Sequence, residues 1–422
     1  MSSAPVPTGG QGPSVMIVAG EASGDNHGAE LIHALRRLNP KLRILGAGGA
    51  RMRAAGQEQL FDLTEHAVVG LVEVLKHYPQ LRSLFGQLVQ LAKTERPAAV
   101  IFIDYPGFNL RLAKVLRRVL PQAKLIYYIS PQVWAWKSGR AHSMAKMLDL
   151  LIVLFSFERD WFAEREPQFR VEWVGHPIWD RMMAQEVSQL PASGGRIALL
   201  PGSREGELRK HLPILVQTAR ELRAKRRDLR FVWLAPDSAR QRLGLKIIED
   251  AGGGDLQIES YVGYQLSHLS RCDLALLASG TVSLECACMN VPQIVFYKVN
   301  PITYFFGRMV VKTKFVSMVN VLADREVVPE YIQSDLDPSA LAQRAASLLG
   351  DAAQRNEIRK EMRRVVEKLG KPGASERAAR LILDQIGAPV EKPVEKASEK
   401  PAGKAAKPTQ AAGSASSAKS EQ

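Results

Sequence analysis

Short apolar runs alternate along this chain with stretches whose apolar residues recur every three or four positions. Val15–Ala19, Leu42–Leu45, Ala99–Ile103, Lys124–Ile129 and Leu150–Leu154 are brief and rich in β-branched residues, as strands buried on both faces are. Helical spacing fills the intervals at Gly28–Leu38, Phe108–Leu120 and Ser138–Met147. A second series follows, with strands at Ile197–Leu200, Phe231–Leu234, Gln257–Ser260, Leu274–Leu277 and Gln293–Tyr297, and helices at Glu207–Lys225, Ala239–Asp250 and Val282–Met289. Ala352–Ile386 reads as helical with a break at Gly370–Gly373. Such alternation predicts the α/β class, with parallel sheets covered by helices on both faces. The loop-like run Gln185–Gly195 divides the two series. We therefore expect doubly wound domains over 14–185 and 196–350, with helices over 351–387 packing back on the first domain. Residues 1–13 and the Lys-, Ala- and Ser-rich stretch 388–422 read as disordered ends that cannot bury a core.

Composition changes this picture in one respect. A chain of 422 residues with 46% hydrophobic and 24% charged residues is ordinary, but its net charge of +14 is not. The stretch Glu391–Gln422 holds six Lys and four Glu, so it carries only +2 of that excess. A basic body suits nucleic acid, an anionic membrane or a phosphorylated substrate. The densest cluster, Arg223–Arg227, ends a predicted helix, where cations complement the dipole. Cys272, Cys286 and Cys288 form no disulfide framework, and Cys286 and Cys288 read as small hydrophobes on a helix. No His, Cys, Asp or Glu cluster has metal-ligand spacing, so neither metal nor cofactor is expected, and activity should survive chelation. No secretory leader and no run of ~18 apolar residues is present, which predicts a cytoplasmic protein. Two apolar stretches carry cations: Val68–Leu91, with Val69, Val72 and Leu75, and Val299–Phe315, with Phe305, Phe306 and Arg308. Either could be an amphipathic helix covering a core; two on a basic protein predict a face for an anionic membrane.

Four strand ends carry candidate chemistry. After Val15–Ala19 comes Gly20-Glu21-Ala22-Ser23-Gly24-Asp25, which lacks the G-x-G-x-x-G spacing of a dinucleotide site. Glu21 and Ser23 put polar groups at the cleft edge there, or Ser23 or Asp25 simply caps a helix. After Ala99–Ile103 comes Asp104, where a carboxylate can act as a general base on a hydroxyl. Trp134, Trp136 and Lys137 follow the next strand, suited to lining a groove for a sugar or acyl chain, or to edge packing. Ser279-Gly280-Thr281 opens a helix directly after a strand and offers N–H groups to a diphosphate, with Glu285 one turn on, placed to accept from ribose hydroxyls.

These residues, in this order, are recognisable. Ala19–Asp25, Ser130–Trp136, Leu199–Arg204, Ala278–Thr281 and Asn320 within Ser317–Leu322 resemble the lipid-A-disaccharide synthase family, over about residues 14–350. The resemblance implies a GT-B glycosyltransferase of two Rossmann-like domains, with the acceptor on the first and the UDP-sugar on the second. It implies an inverting transfer from UDP-2,3-diacylglucosamine to 2,3-diacylglucosamine 1-phosphate, giving the β-1,6-linked lipid A disaccharide 1-phosphate and UDP. By motif, Asp104 matches the family's base, and Arg204, Glu285 and Asn320 match residues holding UDP, with Ser279, Gly280 and Thr281 beside them. Glu21, Ser23, Trp134 and Trp136 fall on the acceptor side. Gly107 stands where some relatives carry a second acid, which leaves Asp104 to work alone. The partners implied are the two lipid substrates and the cytoplasmic face of an anionic inner membrane, bound peripherally, and not nucleic acid; a homodimer is left open. Two other classes would use a similar cleft: a UDP-N-acetylglucosamine epimerase, and a non-catalytic, membrane-associated nucleotide or lipid binder.

Overall fold

The computed structural model describes residues 13–64, 71–184, 194–263, 266–298 and 313–390. Thirteen strands are found among them: β1 (Ser14–Ala19), β2 (Arg43–Gly48), β3 (Glu58–Asp62), β4 (Ala99–Ile103), β5 (Lys124–Tyr128), β6 (Leu150–Val153), β7 (Val171–Trp173), β8 (Arg196–Leu200), β9 (Arg230–Ala235), β10 (Glu259–Val262), β11 (Leu274–Ala278), β12 (Gln293–Tyr297) and β13 (Glu330–Ile332). They form two sheets, ordered β3-β2-β1-β4-β5-β6-β7 and β10-β9-β8-β11-β12-β13. Every pairing in both is parallel. Central strands are apolar at every position because helices cover both faces: all of β4 and all of β11 are buried.

Each sheet reverses its strand order once, between β1 and β4 in the first and between β8 and β11 in the second. In open α/β sheets the carboxyl ends of the strands flanking such a reversal form the ligand crevice. The turns after β1, β4, β8 and β11 are four of those singled out from sequence.

Of the C-terminal helices expected to pack back on the first domain, Ala352–Glu367 instead packs on the second half, against Val282–Cys288, and the last helix returns to the first. Ala374–Gln385 packs on the helix Ala22–Leu38. Its first turn is fixed by Asp180, whose carboxylate accepts from the N–H groups of Gly373 at 2.5 Å and Ser375 at 3.0 Å. Arg377 Nε donates to Val174 O at 2.8 Å. The three cysteines are free and buried, as small hydrophobes are.

The membrane expectation lands unevenly on the structure. Val69, Phe305, Phe306 and Arg308, together with the side chains of Val72 and Leu75, lie outside the described residues. In the rest of the first stretch, Leu88 is buried and Leu84, Phe85 and Leu91 pack around it. That half of the helix Leu71–Glu95 turns these residues to the core.

Candidate active site

The turn after β4 is held in an unusual conformation. Asp104 and Tyr105 both have left-handed backbones, φ 47° and 48°. Non-glycine residues there are disfavoured, by about 1–3 kcal/mol each where the surroundings enforce it. The enforcement is visible. The Asp104 carbonyl accepts from Asn109 Nδ2 at 2.8 Å and Tyr127 Oη at 2.5 Å, and its N–H donates to Tyr128 O at 3.3 Å. Asn109 also donates to Ile103 O at 3.2 Å. The turn swings the Tyr105 ring over Gly20, where any Cβ would stand 2.2 Å from a ring carbon. Glycine is therefore required after β1 because a tyrosine follows β4.

This geometry leaves the Asp104 carboxyl facing a cavity of about 250 Å³ between the sheets. Burial, then the negative charge of Glu21, pushes its pKa up to about 6, against the pull of the Tyr105 backbone, His27 and Arg204. The cavity is also lined by Ser23, His27, Ser130, Trp136, Arg140 and His176 from the first half, and by Thr281, Leu284 and Met318 from the second. His176 Nδ1 accepts from the Ile178 N–H at 3.1 Å, so the proton sits on Nε2. Burial, with His27 and Arg181 nearby, holds this imidazole neutral.

The other residues expected from sequence divide into those that face the cleft and those that shape it. Glu21 and Arg204 meet across it at 2.9 Å, from opposite halves of the chain. Neither Ser23 nor Asp25 caps the first helix: Glu21 occupies the cap position and Ser23 faces the cavity. Asp25 is buried and accepts from the N–H groups of Gly49, Arg51 and Met52, which anchors the helix Ala50–Ala54. Trp136 is 39% exposed at the cavity lip. Trp134 instead packs edge-on to Phe157 and donates to buried Glu158 at 3.2 Å, a structural post.

On the donor side two expectations are corrected, at Asn320 and Ser279. In the turn after β8, two N–H groups just before the helix Glu205–Lys225 are already taken. Glu207 Oε2 already accepts from the Ser203 and Arg204 N–H groups at 2.9 and 3.2 Å. It does so over Gly202, whose φ of 111° and missing Cβ make the room. Asn320 is 0% exposed, and its amide is fully engaged. It donates to Val328 O and Glu330 at 2.8 Å each and accepts from the Val327 and Val328 N–H groups at 2.7 and 3.0 Å. It has no atom left for a ligand and acts from behind the site. Ser279 Oγ is spent on Val316 O at 2.6 Å, part of the same lock. Gly280 and Thr281 remain exposed at the cleft. Glu285 is buried behind them, with Oε1 3.1 Å from Arg181 and Oε2 without a partner.

His27, His176, Arg140 and Arg181 escaped the sequence reading. His176 follows β7, a three-residue strand too short to register, and Arg181 lies on the seven-residue helix after it. The Gly175-His176-Pro177 turn was the available signal.

Comparison with known proteins bears on this geometry. A family profile described as lipid-A-disaccharide synthetase matches residues 15–384. The Geobacter sulfurreducens protein named lipid-A-disaccharide synthase is 39% identical over 89% of this chain and 98% of its own. The Myxococcus xanthus protein of that name is 37% identical over 88% and 97%. Among solved structures, S. aureus MnaA in a co-structure with UDP aligns with TM-score 0.63 at 15% identity, covering 90% of this chain and 99% of that one. A calicheamicin glycosyltransferase aligns at 0.56 and 15%, covering 89% and 99%. At such identities these structures establish the shared two-domain GT-B fold alone.

Proposed function

The chain belongs to the lipid-A-disaccharide synthase family, and from that premise we propose how its cleft performs the transfer. The protein is a glycosyltransferase of lipid A biosynthesis. Its donor is UDP-2,3-diacylglucosamine and its acceptor 2,3-diacylglucosamine 1-phosphate. The acceptor 6-hydroxyl attacks the donor anomeric carbon as the bond to UDP breaks, and Asp104 takes the hydroxyl proton. UDP leaves, and the configuration inverts to the β-1,6 disaccharide 1-phosphate.

The carrying observation is Asp104, an overdetermined strand-end carboxylate across one cavity from Thr281. A pKa near 6 makes it a stronger base than an ordinary carboxylate while leaving it mostly ionised at pH 7. Thr281 and Gly280 mark the donor diphosphate side, and Arg204 adds a cation there. The unpartnered Oε2 of Glu285 supports its assignment to the ribose hydroxyls, since a buried acceptor without a donor calls for one. The neutral His176 Nε2–H is a donor to a sugar oxygen.

An epimerase is the competing reading, because a UDP-GlcNAc 2-epimerase from Neisseria meningitidis shares the fold at TM-score 0.62 and 12% identity. Incubating purified protein with the UDP-diacyl-sugar, with and without the acceptor lipid, separates the two. Disaccharide and UDP should form only when both lipids are present. An epimerised sugar nucleotide without acceptor would overturn the transfer reading.

A further inference from the structure

We propose that Lys137 and Arg140, set about the Trp136 ring at the cavity lip, form an anion subsite that grips the acceptor's 1-phosphate and selects phosphorylated acceptors. This rests on the transfer reading above and adds the specificity element it lacks. Three observations converge. Lys137 Nζ lies 4.4 Å from the Trp136 ring centroid and Arg140 Cζ 5.4 Å, so one aromatic ring gathers two cations. Neither cation has a carboxylate partner among the described residues, whereas many arginines here do. Arg140 and Trp136 line the same cavity as Asp104.

The sequence builds this arrangement locally. Lys137 takes a left-handed backbone at φ 56°, and its carbonyl accepts from the Arg140 N–H at 2.9 Å. The turn brings residues 137 and 140 within reach of the same Trp136 ring. Arg140 is the first residue of the helix Arg140–Met147, and a Cβ on Gly139 before it would meet open space. A phosphate there would meet a guanidinium, an ammonium and the positive end of a helix. The acceptor's reacting hydroxyl, on C6, and its phosphate, on C1, flank the ring oxygen, so one cavity can hold both. With the hydroxyl on Asp104, the phosphate stays within the cavity that Trp136 and Arg140 also line. Holding an acceptor by a second group orients the reacting one.

The test compares the 1-phosphate acceptor with its dephosphorylated form, by steady-state kinetics and by equilibrium binding in detergent micelles. Wild type should prefer the phosphorylated lipid in both. In Lys137→Ala/Arg140→Ala the preference should fall roughly ten- to a hundred-fold, and Arg140→Lys should recover part of it. Affinity for UDP, by calorimetry, should stay at the wild-type value, and Arg140→Gln provides a milder variant should the double change unfold. An unchanged preference in a folded variant would overturn the subsite. So would a parallel loss of UDP affinity, which would assign these cations to the donor diphosphate. Phosphate-selective binding that depends on Lys137 and Arg140 but leads to no disaccharide would keep the subsite and refute the transfer reading.

Discussion

Asp104 combines backbone strain, burial and a neighbouring negative charge in one residue, and the combination serves chemistry at the expense of stability. Its folded pKa of about 6 lies above the ordinary carboxylate value near 3.9. The sign follows from linkage. Below pH 4 both folded and unfolded chains hold the proton, and the group makes no difference. Above pH 6 the folded chain keeps a carboxylate where it is disfavoured, a penalty of up to about 3 kcal/mol. Asp104→Asn should therefore be more stable than wild type at pH 8, and the gap should close as pH falls to 4. The same change should lower turnover by ~10²–10⁴-fold with UDP affinity kept, and wild-type kcat/KM should fall as pH drops below about 6. Denaturant melts at two pH values and a pH–rate profile check both. An Asn variant that turns over normally would remove Asp104 from the chemistry.

At the scale of elements, the buried strands were legible, and of the four edge strands only β10 was. β1, β4, β5, β8, β11 and β12 are continuous apolar runs because helices cover both faces. The strands missed are β3, β7 and β13, all at sheet edges, short and only partly buried. Mixed polarity at an edge erases the periodic signal. The site divided in the same way. Asp104, Glu21, Arg204, Ser23, Trp136 and Thr281 are strand-end polar residues, visible as departures from an apolar run. Asn320 was visible too, but motif matching cannot tell a ligand contact from a buried brace. Its saturated amide holds Val327 and Val328, and Glu330 in turn accepts from the Val316 and Ser317 N–H groups at 2.9 Å each. Asn320→Ala would strand several buried polar groups at about 1–3 kcal/mol apiece, partly relieved by relaxation. It should lower the unfolding midpoint markedly and loosen UDP binding as a consequence. Loss of UDP affinity with an unchanged melt would instead make Asn320 a direct ligand contact.

The whole molecule poses a question of place, because each substrate of the transfer carries acyl chains. Each CH₂ withdrawn from lipid into water costs roughly 0.8 kcal/mol, so both substrates stay in a bilayer and the enzyme must come to them. Among the described residues no helix is long and apolar enough to cross one. We propose peripheral attachment, through the basic body and the apolar, cation-bearing residues of the stretch 299–315. Each basic residue near an anionic leaflet contributes about 1 kcal/mol, screened over roughly 10 Å at 0.1 M salt. Residues 391–422 hold only +2 of the +14 and contain no aromatic anchor, so their removal should matter little. Co-sedimentation with anionic vesicles should fall as salt rises, and fall further in Phe305→Ser/Phe306→Ser. It should persist when residues 391–422 are deleted. Release by that deletion, with no effect of the phenylalanine changes, would put the attachment in the tail and leave the 299–315 stretch without a membrane role.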